Sequence, residues 1–287
     1  GMNALYANTT ASNNTSVGYG SMENNSTGAQ NTAVGTEALK ANTTASNNTA
    51  MGYRALYANT TGGRNVAVGN YALDSQTTAG SYNVGVGYAV GDSVSTAQGV
   101  TLIGDVAGDA ITTSSGCTAV GQSALSTHAT GTANTAIGKS ALTDCANGGN
   151  TAVGQDAGLA ITTGYNNTFV GEDAGDSTTT GFGNICIGIN SNTSIVNGEK
   201  QIVIGYDYAG NGDNKVNLGS SGGYVWNSFT VNNTWTQVSD ERTKKNIESD
   251  DLGLNFINEL RPVTFNWRHS SVIDPEFIEE TVNIGKG

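Results

Sequence analysis

Proline is almost absent from this sequence. Two stand among 287 residues, Pro262 and Pro275. Proline removes a ladder donor, so everything before residue 262 is open to uninterrupted strand pairing. Charge is scarce as well: Asp, Glu, Lys and Arg make up 13% of the chain, with a net charge of −12. Twelve Lys and Arg without a basic cluster exclude a nucleic-acid groove. Long apolar runs are missing, so no membrane insertion is expected. The two histidines, His128 and His269, have no metal-ligand spacing, and no metal or cofactor is expected. The three cysteines, Cys117, Cys145 and Cys186, are too few and too scattered for a disulfide framework. We expect free thiols and assembly in a reducing compartment.

Gly, Thr, Asn, Ser and Ala fill the space left by these absences. Such a composition suits disorder, but disorder has no register. This chain has one. Asn31-Thr32-Ala33-Val34-Gly35 recurs as Asn48-Thr49-Ala50-Met51-Gly52, Asn134-Thr135-Ala136-Ile137-Gly138 and Asn150-Thr151-Ala152-Val153-Gly154. The closing glycines, from Gly18 and Gly35 to Gly188 and Gly205, are spaced by 17 residues, once by 18 (Gly69 to Gly87) and once by 16 (Gly138 to Gly154). A fixed short period over 200 residues marks a solenoid. Seventeen residues are too few for a βαβ crossover and carry no helical stripe. The residue before each glycine is mostly Val or Ile, which favours strands. The expected fold class is therefore all-β, a parallel β-solenoid (β-roll) of 17-residue coils, each with two short strands and two turns.

Side chains alternate faces along a strand. The larger pair, Thr32 and Val34, is expected to fill the coil interior, with Val153 buried in the same way. The Ala/Gly face, with Ala33 and Ala136, is then left for close approach of another chain. Asn14, Asn31, Asn48 and their counterparts share one position and are expected to form an amide ladder along the axis. A 17-residue coil has a thin core, which points to lateral association of copies. After the anchor, coils run either Ala-Leu, as in Ala38-Leu39, or Ala-Gly, as in Ala157-Gly158.

We divide the chain into three parts. Residues 1–205 are the β-solenoid array. Residues 206–238 are a β-rich neck, with a motif-like Val216-Asn217-Leu218-Gly219 and strand-like runs at Tyr224-Val225-Trp226 and Phe229-Thr230-Val231. Residues 239–287 hold half of all Lys and Arg and read as a short α+β segment, with a helix over Leu252–Leu260 and a strand over Val263–Trp267.

The Asn-Thr-Ala-Ile-Gly cores resemble the head repeats of trimeric autotransporter adhesins, which are left-handed parallel β-rolls assembled as trimers. The longer Asn48–Thr61 form resembles repeats of bacteriophage tail fibres. Ser239-Asp240-Glu241-Arg242-Thr243-Lys244-Lys245-Asn246-Ile247, followed by Leu260-Arg261-Pro262-Val263-Thr264-Phe265-Asn266-Trp267, is similar to the opening of the peptidase S74 domain. That domain is the C-terminal intramolecular chaperone of endosialidases and many phage tail fibres. The resemblance implies that Ser239 and Lys244 form a self-cleavage dyad acting at or near the Ser239–Asp240 bond. It also implies that only the first part of the domain is present here. A lysine of depressed pKa can activate a serine hydroxyl.

These resemblances imply a homotrimeric phage tail fibre, assembled in the host cytoplasm and carried on the virion. Its partners would be other virion tail proteins and a host cell-surface glycan or protein. No external substrate is expected. Two alternatives stay open: a bacterial trimeric surface adhesin, and a polysaccharide-depolymerising tailspike. For the latter, Asp156 and Asp173 share a position in neighbouring coils with Glu172 alongside, a spacing open to a carboxylate pair or a solvated acidic edge. Tyr6 and Tyr57 share one repeat position; Tyr19, Tyr53, Tyr88 and Tyr206 share another. Exposed aromatics can stack on sugars, or serve only as rungs.

Overall fold

A computed structural model of the chain describes residues 1–77, 80–127, 130–230 and 236–238. Among these residues there is no helix. Each motif is a three-residue strand, from Thr15–Val17 and Thr32–Val34 to Ile185–Ile187, followed by Ile202–Tyr206. Consecutive strands pair in parallel with like residues opposite one another: Thr32 faces Thr49, Ala33 faces Ala50, Val34 faces Met51. The result is a parallel β-solenoid of about twelve coils, whose axial rise of ~4.8 Å per coil gives a column of roughly 50 Å. The helix and strand expected beyond Ser239 lie outside the described residues.

Most coils have one strand where two were expected; the second appears only near the end of the array, where Ser191–Asn192 pairs in parallel with Tyr208–Ala209. Elsewhere the other side of the coil consists of turns, because the backbone enters the left-handed region at three places besides the anchor. In one coil these are Glu37, Leu39 and Asn47, with φ of 58°, 53° and 64°. Alternating the sign of φ curls the chain and prevents a second strand. The turns are still bonded along the axis. Leu39 N–H donates to Ala55 of the next coil (2.9 Å) and Glu37 N–H to Tyr19 of the previous one (2.8 Å).

The anchor glycines are required twice over. Gly138 has φ of 140°, and a Cβ there would overlap the Gly154 carbonyl oxygen of the next coil. The same collision recurs from Gly18 to Gly205. The close approach is between coils of one chain.

The faces are the reverse of the expected ones. Ala33, Ala50, Ala136 and Ala152 are fully buried inside the coil, while Val17, Met51, Ile103 and Ile137 are exposed. Val153 stands on the outer face and is half-buried. The reason is room. The interior already holds Leu39, Leu56 and, beyond the first coil, the buried asparagine columns. The inward strand residue must therefore be small. Where it is large, the neighbours shrink: Leu102 lies between Gly91 and Gly108, and Phe169 between Gly158 and Gly175, and a Cβ at any of these glycines would press on those side chains. This accounts for the Ala-Gly coils. Cys186 takes the same inward position and is fully buried.

The expected asparagine ladder is present: amide bonds amide along the axis from Asn167 to Asn150 (3.1 Å) and from Asn184 to Asn167 (3.0 Å), and bonds to backbone groups run along the column. Asn31 Oδ1 accepts from the Asn48 backbone N–H (2.9 Å), and Asn31 Nδ2 donates to the Ala45 carbonyl (2.9 Å). Each side chain thus meets backbone groups of the following coil that burial cuts off from water. A second column, unforeseen from the sequence, runs Asn8, Asn25, Asn42, Asn59, Gln76. Its members bond one another along the axis, as Asn25 to Asn8 (3.1 Å), and also bond across their own turns.

Where this position holds an amide or a thiol, the reach of the side chain matches the turn; in other 17-residue coils it holds Val94, Ile111 or Ile161. In one 17-residue coil Asn59 donates to the carbonyl three residues on, Gly62 (2.9 Å). In the 18-residue coil Gln76, one methylene longer, reaches four residues on to Gly80 (2.9 Å). In the 16-residue coil the shorter Cys145 thiol donates two residues on, to Asn147 (3.0 Å). Strand register is unaffected: Val66 faces Val84 across the insertion and Thr135 faces Thr151 across the deletion.

The parallel stack ends after Lys215–Ser220, which places Val216 opposite Ile202 and Gly219 opposite Gly205. Gly223–Ser228 then pairs antiparallel with it, and Thr236–Val238 antiparallel with Gly223–Ser228. Phe229 and Thr230 form a turn, not the strand expected of them. Tyr208 replaces the usual inward alanine and packs on Tyr224, ring centroids 4.7 Å apart.

The axial glycine contact yields a paired test. Gly138→Ala adds both left-handed strain and overlap with Gly154, and should cost about 3 kcal/mol. Gly116→Ala has φ of 70° but open space around it, and should cost about 1 kcal/mol. Urea midpoints followed by circular dichroism would measure both. Equal losses would show that axial contact is not what demands the anchor glycine.

Candidate functional site

Three surfaces of the array are candidates for function. The first is the outer strand face. Its two columns, Thr, Val or Ile at the first strand position and Val, Ile or Met at the third, carry no charge in any coil. Val17 is 55% exposed, Met51 44% and Ile137 40%. The strip is flat, apolar and as long as the array. Long apolar strips of this kind mark contact surfaces.

The second is the acidic edge. Asp156 and Asp173 occupy the same left-handed corner in neighbouring coils, with φ of 54° and 55°. Burial, helped by the nearby carboxylates of Asp176, Asp156 and Glu172, pushes the Asp173 carboxyl above its usual range. Asp156 is held by Gln155 Nε2 at 3.0 Å.

The third surface is aromatic and spans three successive coils. Tyr53 and Tyr88 keep the column expected of them, but the coil between them has Asn70 there. Its ring comes from Tyr71, one residue on, which packs edge-on against Tyr53 (centroids 5.2 Å, interplanar 89°) and Tyr88 (6.0 Å, 83°). Tyr71 was missed because it is off the repeat column; only the turn of the left-handed corner, φ 61°, swings it into line. The Arg54 guanidinium lies over the Tyr57 ring at 4.2 Å and 5.8 Å from the Tyr71 centroid, a cation–π geometry. Its Nη2 pairs with Asp74 Oδ2 at 3.2 Å. Tyr6 and Tyr19 lie in earlier coils and Tyr206 near the end of the array, outside this cluster.

None of the three thiols is in a disulfide, and all are buried. Burial pushes Cys145 up to about 11 and Cys186 to about 12, so neither is a nucleophile near neutral pH. Ser239, Lys244, His128 and His269 lie outside the described residues.

Sequence comparison bears on Ser239 and Lys244. Residues 239–285 match the Peptidase_S74 family model, the chaperone of endosialidase. Both residues fall within the matched segment. No curated protein and no solved structure matches the chain. The matched segment follows the antiparallel strands that end the solenoid; domains of this family cleave themselves and do not process an outside substrate.

Asp74 gives the aromatic surface a pH signature. Burial raises its carboxyl to about 6, against the opposing pull of Arg54 and with added repulsion from Asp92 and Glu37. Unfolded, it titrates near 4. Between these values the folded state holds the extra proton, so stability falls as pH rises from about 4 to about 6. On going from pH 7 to pH 4.5 the wild type should gain on the order of 1 kcal/mol relative to Asp74→Asn. Urea titrations at both values would check this; parallel profiles would refute it.

Proposed function

We propose that this chain is the shaft of a homotrimeric phage tail fibre that holds or makes contact with the host surface. It would be folded with the help of its C-terminal chaperone segment and carried on the virion with other tail proteins. The observation that carries this reading is the endosialidase-chaperone match at residues 239–285, in a chain whose preceding array is a parallel β-solenoid. A chaperone of this kind serves chains that must find a common register, and an array of near-identical coils has that problem in acute form. The bacterial adhesin reading lacks such support, since its repeats would need no chaperone of this family. The depolymerase reading rests on the acidic edge alone.

The trimer contact is assigned to the outer strand face, in place of the Ala/Gly face expected from sequence. Ala136 is inside its own coil and cannot meet a partner, whereas Ile103 and Ile137 are bare. Association through this strip would bury the β-branched columns and leave the charged corners wet. Light scattering on the full chain should give three times 29.3 kDa. Ile103→Asp with Ile137→Asp should give the mass of one chain with its circular dichroism retained. A single-chain mass for wild type would sink the trimer.

Self-cleavage follows from the same reading. Lys244 acts as base only once its surroundings lower its pKa, so cleavage waits for folding. Losing the chaperone then leaves a fibre protected by a barrier to unfolding, a matter of rate. In the full-length gene product, wild type should run as two bands on a denaturing gel, and Ser239→Ala and Lys244→Ala as one each. Equal processing in all three would remove the dyad.

A further inference from the structure

The fold does not need the tyrosines of coils 52–88. The positions held by Tyr53 and Tyr88 are Gln122, Lys139 and Gln155 in later coils, and that of Tyr71 is Ser123 or Ser140. Those coils stack with the same strand register. The rings are therefore an addition to the scaffold. Tyr88 is 56% exposed and Tyr53 39%. The corner they occupy carries charges, with Lys40 bridging Glu37 (2.7 Å) and Glu23 (3.6 Å). Interface cores are poor in such groups, so this corner stays in water when the apolar strand face is covered.

We propose that Tyr53, Tyr71 and Tyr88, with the Arg54–Asp74 pair beside them, form a binding platform for a linear, neutral glycan. Three features lead to that ligand class. Rings in successive coils make a periodic platform, which suits a periodic, linear ligand. Tyrosine and arginine are the residue types that most often dominate binding surfaces, since each offers broad contact area with a polar handle. The side chains of Tyr53 and Tyr88 are exposed, and each phenol hydroxyl both donates and accepts, which matches the hydroxyls of a sugar. The ligand is neutral because Asp74 already offsets Arg54 and the chain carries −12 overall, which repels polyanions.

The proposal rests on the host-attachment reading and names its ligand. The test is isothermal titration of the full chain with neutral hexasaccharides of glucose, mannose and galactose, and with a sulfated hexasaccharide as anionic counterpart. At least one neutral sugar should bind, and Tyr53→Gln with Tyr88→Gln should weaken it tenfold or more. Glutamine is chosen because the chain's own coils accept it there. Tyr165→Ala, a ring stacked on Phe182 in distant coils, should change nothing. Saturation-transfer NMR on wild type reads ring-to-sugar contact without any substitution, should the double variant fail to fold. Undiminished binding by the variant, binding of the sulfated sugar alone, or no binding of any sugar would overturn the platform. Labelled wild-type chain retained on bacterial cells while ignoring every sugar would overturn the platform and leave host attachment standing. Loss of cell retention as well would remove both.

Discussion

Stacking at the glycine anchor is the constraint on which the other features depend. Parallel strands lie about 4.8 Å apart, and at the corner that follows each strand that spacing leaves no room for a Cβ. The carbonyl of one anchor lies where the side chain of the previous one would be. Once every coil is clamped to this separation, its axial bonds fall into place, and the backbone turns inward in a loop too small for two large layers of side chains. Small strand residues inside, β-branched residues outside and amides lining the remainder are consequences of that narrow section.

The period was legible because its cause is local. Only glycine meets both demands at the anchor, so the requirement is written as glycine in every coil. The asparagine column was legible for a similar reason: an identical amide in each coil has an obvious partner in the next. Which face is inward was not legible. Alternation in Thr32-Ala33-Val34 defines two faces but leaves open which is buried, and the usual preference for larger apolar residues inside pointed the wrong way. Deciding it needs the interior volume, which depends on Leu39 and Asn42 several residues away. The single strand of most coils was hidden too, because Glu37 and Leu39 do not advertise a left-handed backbone. The chaperone segment was readable as a pair of motifs, Ser239–Ile247 and Leu260–Trp267, that no fold argument was needed to recognise.

Coil length is accommodated separately from coil stacking. Where the chain gains a residue, Gln76 spans the longer turn; where it loses one, Cys145 spans the shorter. In each case the side chain spans the turn it is given, and the strands on either side keep their pairing. The sheet and the turns thus answer to different residues, and an error in one is not passed to the other. This separation suits a molecule whose stability is carried by contacts between neighbours.

The pairing of large inward residues with flanking glycines has a genetic consequence. Coils between Gly18 and Gly69 have nearly interchangeable interiors, so an unequal crossover there would lengthen or shorten the column by one coil and leave every contact type as it was. Around Phe169 the exchangeable cassette is larger. A crossover falling between Gly158 and Phe169, or between Phe169 and Gly175, would part the ring from the space made for it. Variation in array length among descendants of this gene should therefore collect in the first third of the array, and the later coils should be inherited as blocks.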